Sequence, residues 1–138
     1  MRNGVAGGPS YDTRSRELVI DRVCARCGCE YEWGVHVAIF RKAARLTDEE
    51  IYATVHEDSK AACWDDRDAA VIEMVDNLHD TGHVPDSLFD SLLEHFSDQQ
   101  ISDLLMLAGW YHAISYFANG LKIEHEEWAP RFPQAGTE

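Results

Sequence analysis

At 138 residues the chain has the length of one domain, with enough material to bury a core. Hydrophobic residues make up 45% of it, too many for a disordered chain. Lys and Arg total 12 against 25 Asp and Glu, and the resulting charge of −13 argues against nucleic acid or an anionic membrane surface as partner.

The Gly-rich opening from Met1 to Ser10 lacks the apolar stretch of a secretory signal, and no apolar run reaches the ~18 residues needed to span a bilayer. The expectation is a flexible tail over residues 1–13, a domain over 14–125 and a cytoplasmic protein. Leu18, Val19, Val23, Cys24 and Cys27 make an interrupted i, i+4 stripe and predict a helix from Arg14 to Cys27. Gly28 either breaks or kinks it before a second helical stretch from Cys29 to Ala44, with Trp33, Val37 and Phe40 at helical spacing. Thr47 and Glu50 read as a capping box opening a short helix through Val55. Asp65 or Asp66 can cap the next helix, which carries Ala69, Ile72, Val75 and Leu78 and ends at Gly82. Pro85 and Asp86 suit the first turn of a helix bearing Leu88, Phe89, Leu92, Leu93 and Phe96. Ser97 and Gln100 form a second capping box before the most apolar stretch, Ile101 to Ala118, which Gly120 closes. The segment 126–138 holds Pro130 and Pro133 and is expected to lie extended, on the surface or against a neighbour. Nothing alternates with period two, so the fold class is all-α, one bundle of about six helices.

Three of the four cysteines crowd into Cys24, Cys27 and Cys29, unlike the spread of a secreted disulfide framework. On a helix, Cys29, Glu32 and His36 fall at about 0°, −60° and −20°, within one narrow strip. A thiol, a carboxylate and an imidazole so placed can serve acid–base or nucleophilic chemistry. Glu32, four residues before His36, can orient its ring and favour the protonated form. Near the start of a helix Cys29 is pulled toward thiolate by the dipole and pushed away from it by Glu32. The competing reading of the trio is chance placement, with Cys29 a small buried apolar residue.

The stretch Arg16-Glu-Leu-Val-Ile20, followed by Cys29-Glu-Tyr-Glu-Trp-Gly-Val-His36, resembles the carboxymuconolactone decarboxylase and AhpD-like family. Gly109-Trp-Tyr-His112 with Asn119 is similar to that family's last long helix, so the resemblance spans about residues 14–125. In the AhpD branch a glutamate precedes a CxxC, and a histidine follows the second cysteine by four residues. Glu17, Cys29 and His36 match that pattern, while Glu32 stands where the second cysteine would be. The resemblance implies an AhpD-like helical fold assembled as a trimer or hexamer, with a metal-free site near the subunit interface.

Other sites are less well supported by the residues. Cys24 and Cys27 read mainly as packing positions, and a zinc site built from Cys24, Cys27 and Cys29 would lack a second ligand pair. His79 and His83 flank Gly82 and are expected to face solvent or cap a helix end. Two Glu-x-x-His motifs for a di-iron bundle are missing, as are HExxH, P-loop and GxGxxG patterns. The expectation is therefore an enzyme without cofactor or metal that acts by proton transfer on a small carbonyl, lactone or carboxylic-acid substrate. His36 would be general acid and base, Glu32 and Glu17 its orienting groups, and Cys29 a pocket or polarising group. Trp33, Tyr111 and His112 are expected to line the substrate pocket, with core packing as the competing role. A thiol peroxidase using Cys29 is the first alternative, and a non-catalytic helical oligomer or ligand-binding protein the second.

Overall fold

The computed structural model describes residues 10–136, and among these six helices form and no strand. In chain order they are α1 (Thr13–Arg26), α2 (Glu30–Ala44), α3 (Asp48–His56), α4 (Asp66–Thr81), α5 (Asp86–Leu93) and α6 (Asp98–Gly120). None is long and apolar enough to cross a membrane. Side chains fix the helix starts: Asp12 caps α1, Asp65 caps α4, and both capping boxes, Thr47–Glu50 and Ser97–Gln100, close reciprocally. The expected tail over residues 1–13 lies outside the described residues as far as position 9. Ser10 already donates to Asp103, and Thr13 already belongs to α1. Phe96 is not part of α5, which stops at Leu93; it lies buried just beyond, with the Arg67 guanidinium over its ring.

Helix α1 forms the axis of the domain and packs against α2, α3, α4 and α6. It is buried on every side from Glu17 through Cys24, which is why its apolar stripe looked interrupted: polar residues share the interior with apolar ones. The buried Arg22 is held by Asp76 at 2.8 and 2.9 Å and donates to the Thr54 carbonyl at 3.0 Å. Arg14 binds Asp68, Glu50 and the carbonyls of Ala44 and Arg45, fastening the end of α2 to α3 and α4. Such pairing satisfies charges that would otherwise be costly to bury.

Gly28 breaks the chain between α1 and α2. Its φ of +66° is the left-handed conformation that glycine adopts without a Cβ clash. The Cys29 N–H donates to the Cys24 carbonyl at 2.8 Å and the Gly28 N–H to Ala25 at 3.1 Å, the paired bonds of a Schellman motif. That motif sets the two residues it closes, Cys24 and Cys29, beside one another.

The described residues after α6 form no further helix, and they lie on their own chain. The Phe132 N–H donates to Glu30 at 2.6 Å, and its ring meets Trp33 edge-on at 5.3 Å. Gly34 makes this close approach possible, since a Cβ there would run into the Pro130 carbonyl oxygen.

Candidate active site

The break at Gly28 makes Cys29 the N-cap of α2, with Glu32 one turn on and His36 two turns on. Glu32 and His36 meet on one side of α2, while Cys29 lies at the mouth of the helix and outside its hydrogen-bonded turns. Glu17 reaches across from α1, and its Oε1 lies 2.9 Å from His36 Nδ1. A carboxylate at that nitrogen requires Nδ1 to carry a proton, leaving Nε2 as the working nitrogen. Glu32 Oε2 lies 3.5 Å from Nε2, and the Tyr111 hydroxyl approaches it from α6 at 3.2 Å. Phe40 stacks on the imidazole at 5.2 Å between centroids and Tyr111 meets it edge-on at 5.4 Å, so the ring is wedged in one orientation. The ring is buried, not turned to water. Arg16 completes the wall, bonded to Glu17 at 2.8 Å and lying over Phe40.

Electrostatics follow from that geometry. Burial alone would pull the His36 pKa down, but hydrogen bonds to Glu17 and Glu32 and the charges of Glu17 and Asp21 override it and raise it to about 9. At neutral pH the ring is an imidazolium, poised as an acid. Asp21, one turn along α1 from Glu17, is fully buried, and its Oδ1 has no hydrogen-bond partner. Burial and the neighbouring Glu17 push its pKa well above the usual carboxyl range, with His36 acting in the opposite direction. The sequence reading passed over Asp21. The signal was there: two acidic residues at i, i+4 inside an apolar run, a spacing that buries both together.

The Cys29 thiol is pulled down to about 6, chiefly by a hydrogen bond from the Cys24 thiol and against the opposing effect of burial. The Glu32 backbone N–H and the Ser115 hydroxyl also favour the thiolate, while the Glu32 carboxylate opposes it. Cys24 itself is raised well above its ordinary value, first by that same hydrogen bond and then by burial. The competition that spacing left open is therefore decided by a neighbour five residues back, which the sequence reading placed among packing residues.

Trp33 and His112 find their hydrogen-bond partners away from His36. Trp33 is fully buried on another side of α2, where its indole N–H donates to Thr54 Oγ1 at 3.0 Å; it packs α2 on α3 and the C-terminal segment. His112 follows Tyr111 on α6 but turns from His36 to His79, with Nε2 of the one 3.1 Å from Nδ1 of the other. Nor does His79 face solvent freely; this contact leaves it half-buried in the last turn of α4.

The fold and this arrangement define a class: an all-helical protein of the AhpD-like type, with a histidine held between carboxylates beside a cysteine at a helix start. Residues 1–74 match the model of the Carboxymuconolactone decarboxylase family, and the chain belongs to that family. Among solved structures, a protein of unknown function from Agrobacterium tumefaciens, proposed to be the antioxidant defence protein AhpD, superposes with a TM-score of 0.77. It is 22% identical, and the match covers 85% of this chain and 80% of that one, a likeness of fold. No curated protein matches the sequence.

Proposed function

We propose that this protein is an enzyme catalysing proton transfer on a small carbonyl, lactone or carboxylic-acid substrate, by decarboxylation, isomerisation or cyclisation. One observation carries the reading: a buried imidazole with Nδ1 fixed by Glu17 and Nε2 directed between Glu32 and Tyr111. Such a ring can donate its Nε2 proton to a substrate carbon or oxygen as negative charge develops there. The neutral ring then recovers a proton from substrate or water, so no net proton or electron is consumed and the step itself requires no cofactor. Tyr111 supplies a hydroxyl to a substrate oxygen, and the Cys29 thiolate polarises the same space. The test is turnover of candidate lactones and β-keto or unsaturated acids by the wild type and by His36→Ala, Glu17→Gln and Cys29→Ser. Loss in the first two with activity retained in Cys29→Ser supports the proposal. Unchanged turnover in His36→Ala refutes it.

A second reading is favoured by the turn that sets Cys24 and Cys29 side by side, the Cys29 N–H donating to the Cys24 carbonyl at 2.8 Å. In it, the Cys29 thiolate attacks a hydroperoxide, the O–O bond breaks, and an alcohol leaves as a sulfenic acid forms. The Cys24 thiol then condenses with it, releasing water and giving a disulfide that an external dithiol reduces. Hydroperoxide consumption lost in both Cys29→Ser and Cys24→Ser would establish this chemistry in place of the first.

We also propose that the chain self-associates, as a trimer or hexamer, through α6. Met106, Trp110 and Phe117 recur at helical spacing and stand 73%, 64% and 64% exposed, an apolar stripe that a second copy would cover. The stripe adjoins Tyr111, which sets the proposed site at the edge of that interface.

A further inference from the structure

We propose that Cys27, His79 and His112 form a binding site for a borderline-soft divalent ion of the zinc type, outside the proton-transfer site. The three come from different elements: the C-cap of α1, the last turn of α4 and the middle of α6. One donor atom from each, the Cys27 Sγ and one ring nitrogen of either histidine, lies within 4.8 Å of the others. Two imidazole nitrogens bound tetrahedrally to zinc at 2.0–2.1 Å stand about 3.3–3.4 Å apart, and a thiolate sulfur lies a little farther from each. His79 Nδ1 and His112 Nε2 are already 3.1 Å apart, so an ion needs only a small spreading of the rings.

The surroundings hold the donors ready. His112 Nδ1 lies 3.0 Å from the Ala108 carbonyl, an acceptor only, so that nitrogen carries the proton and Nε2 keeps its lone pair toward the cluster. A ligating histidine is typically oriented by just such a bond from its other nitrogen. Cys27 is fixed at its backbone, where Asn119 Nδ2 donates to its carbonyl at 3.0 Å and its own N–H donates to Val23 at 2.9 Å. Arg26, whose charge acts on both Cys27 and His79, is bonded to Asp76 at 2.9 Å and Asp80 at 2.6 Å, which offsets that charge. One thiolate and two neutral imidazoles leave the bound ion a net positive charge, and all three residues are only half-buried. A fourth position therefore faces outward, open to water or to an exogenous anion. His79 and Cys27 are 52 residues apart in sequence, and His112 a further 33, which is why no spacing motif announces the site.

Binding is tested by titrating the reduced, chelator-treated full-length protein with Co2+ and reading the near-ultraviolet thiolate-to-cobalt band and the visible bands of tetrahedral cobalt. The expected result is one ion per chain, with both sets of bands and release of a thiol proton, reversed by Zn2+. Cys27→Ser should abolish the thiolate band. His79→Gln and His112→Gln should each weaken affinity by at least the roughly 10- to 100-fold that loss of an outer hydrogen-bond partner costs. Cys24→Ser and Cys29→Ser should retain the band. Far-ultraviolet circular dichroism checks that each variant folds, and the His79→Gln result stands by itself if Cys27→Ser does not. Absence of a thiolate band in the wild type, its survival in Cys27→Ser, or its loss in Cys29→Ser would overturn the assignment, as would unchanged affinity in His79→Gln.

Discussion

Replacing Glu17 by Gln keeps the shape of the side chain and an acceptor for His36 Nδ1–H while removing the charge 2.9 Å from it. The same carboxylate is the partner of Arg16, so the variant also leaves a guanidinium close to the ring. An opposite charge at this range commonly moves a pKa by about 1–3 units. From about 9, the His36 value should therefore fall to between roughly 6 and 8 in Glu17→Gln. Each unit is worth about 1.4 kcal/mol, so the imidazolium loses roughly 1–4 kcal/mol of stabilisation relative to the neutral ring. If the value drops to about 7, only about a quarter of the protein carries the acid form at pH 7.5, where nearly all of the wild type does. The assay is an NMR titration of the His36 ring, assigned by its disappearance in His36→Gln, with the wild type and Glu17→Gln measured in the same buffer. A midpoint within a few tenths of the wild-type value would refute the claim that Glu17 charges the ring.

The same pKa makes stability depend on pH. For a histidine raised from an ordinary 6.5 to about 9 by folding, the contribution is complete below 6.5 and lost as pH climbs through 9. Urea unfolding should thus show the wild type losing on the order of 3 kcal/mol relative to His36→Gln between pH 6 and 9.5, and a flat difference would count against the buried ion pair. Cys24→Ala removes the thiol that donates to Cys29, so the Cys29 midpoint should rise from about 6, read as thiolate absorbance that Cys29→Ser lacks. Gly34→Ala should destabilise the protein by about 1–3 kcal/mol and expose residues 125–133 to proteolysis, because its methyl group displaces the Pro130 carbonyl; a protected segment would contradict that packing. The proposed self-association through α6 predicts a wild-type oligomer in analytical ultracentrifugation that Trp110→Asp combined with Phe117→Asp converts to monomers; a monomeric wild type refutes it, and an oligomer of unaltered mass in the double variant places the interface elsewhere.

Helix starts and stops were legible because they are local. Thr47 and Glu50, Ser97 and Gln100, and Gly82 act through bonds or dihedrals within a few residues, and each stands where the sequence put it. Glu32 and His36 were legible for the same reason, since four residues on a helix guarantee adjacency. Glu17 was reached through family resemblance; nothing local connects it to a ring 19 residues away.

Other features depended on how the helices pack. Tyr111 and His112 are neighbours in sequence, and only the seating of α6 against α1 and α2 sends one to His36 and the other to His79. Trp33 satisfied the same apolar pattern as a pocket wall would, and only the structure gives its indole N–H to Thr54. The sequence by itself determined the helices, their caps and the carboxylate–imidazole pair on α2. The tertiary structure decided which groups of different helices meet: Glu17 with His36, His36 with Tyr111, and Cys27 with two histidines. The physical reason is that α1 is enclosed by four other helices, so the partners of its polar and sulfur groups lie on other elements, at distances along the chain that no periodicity encodes.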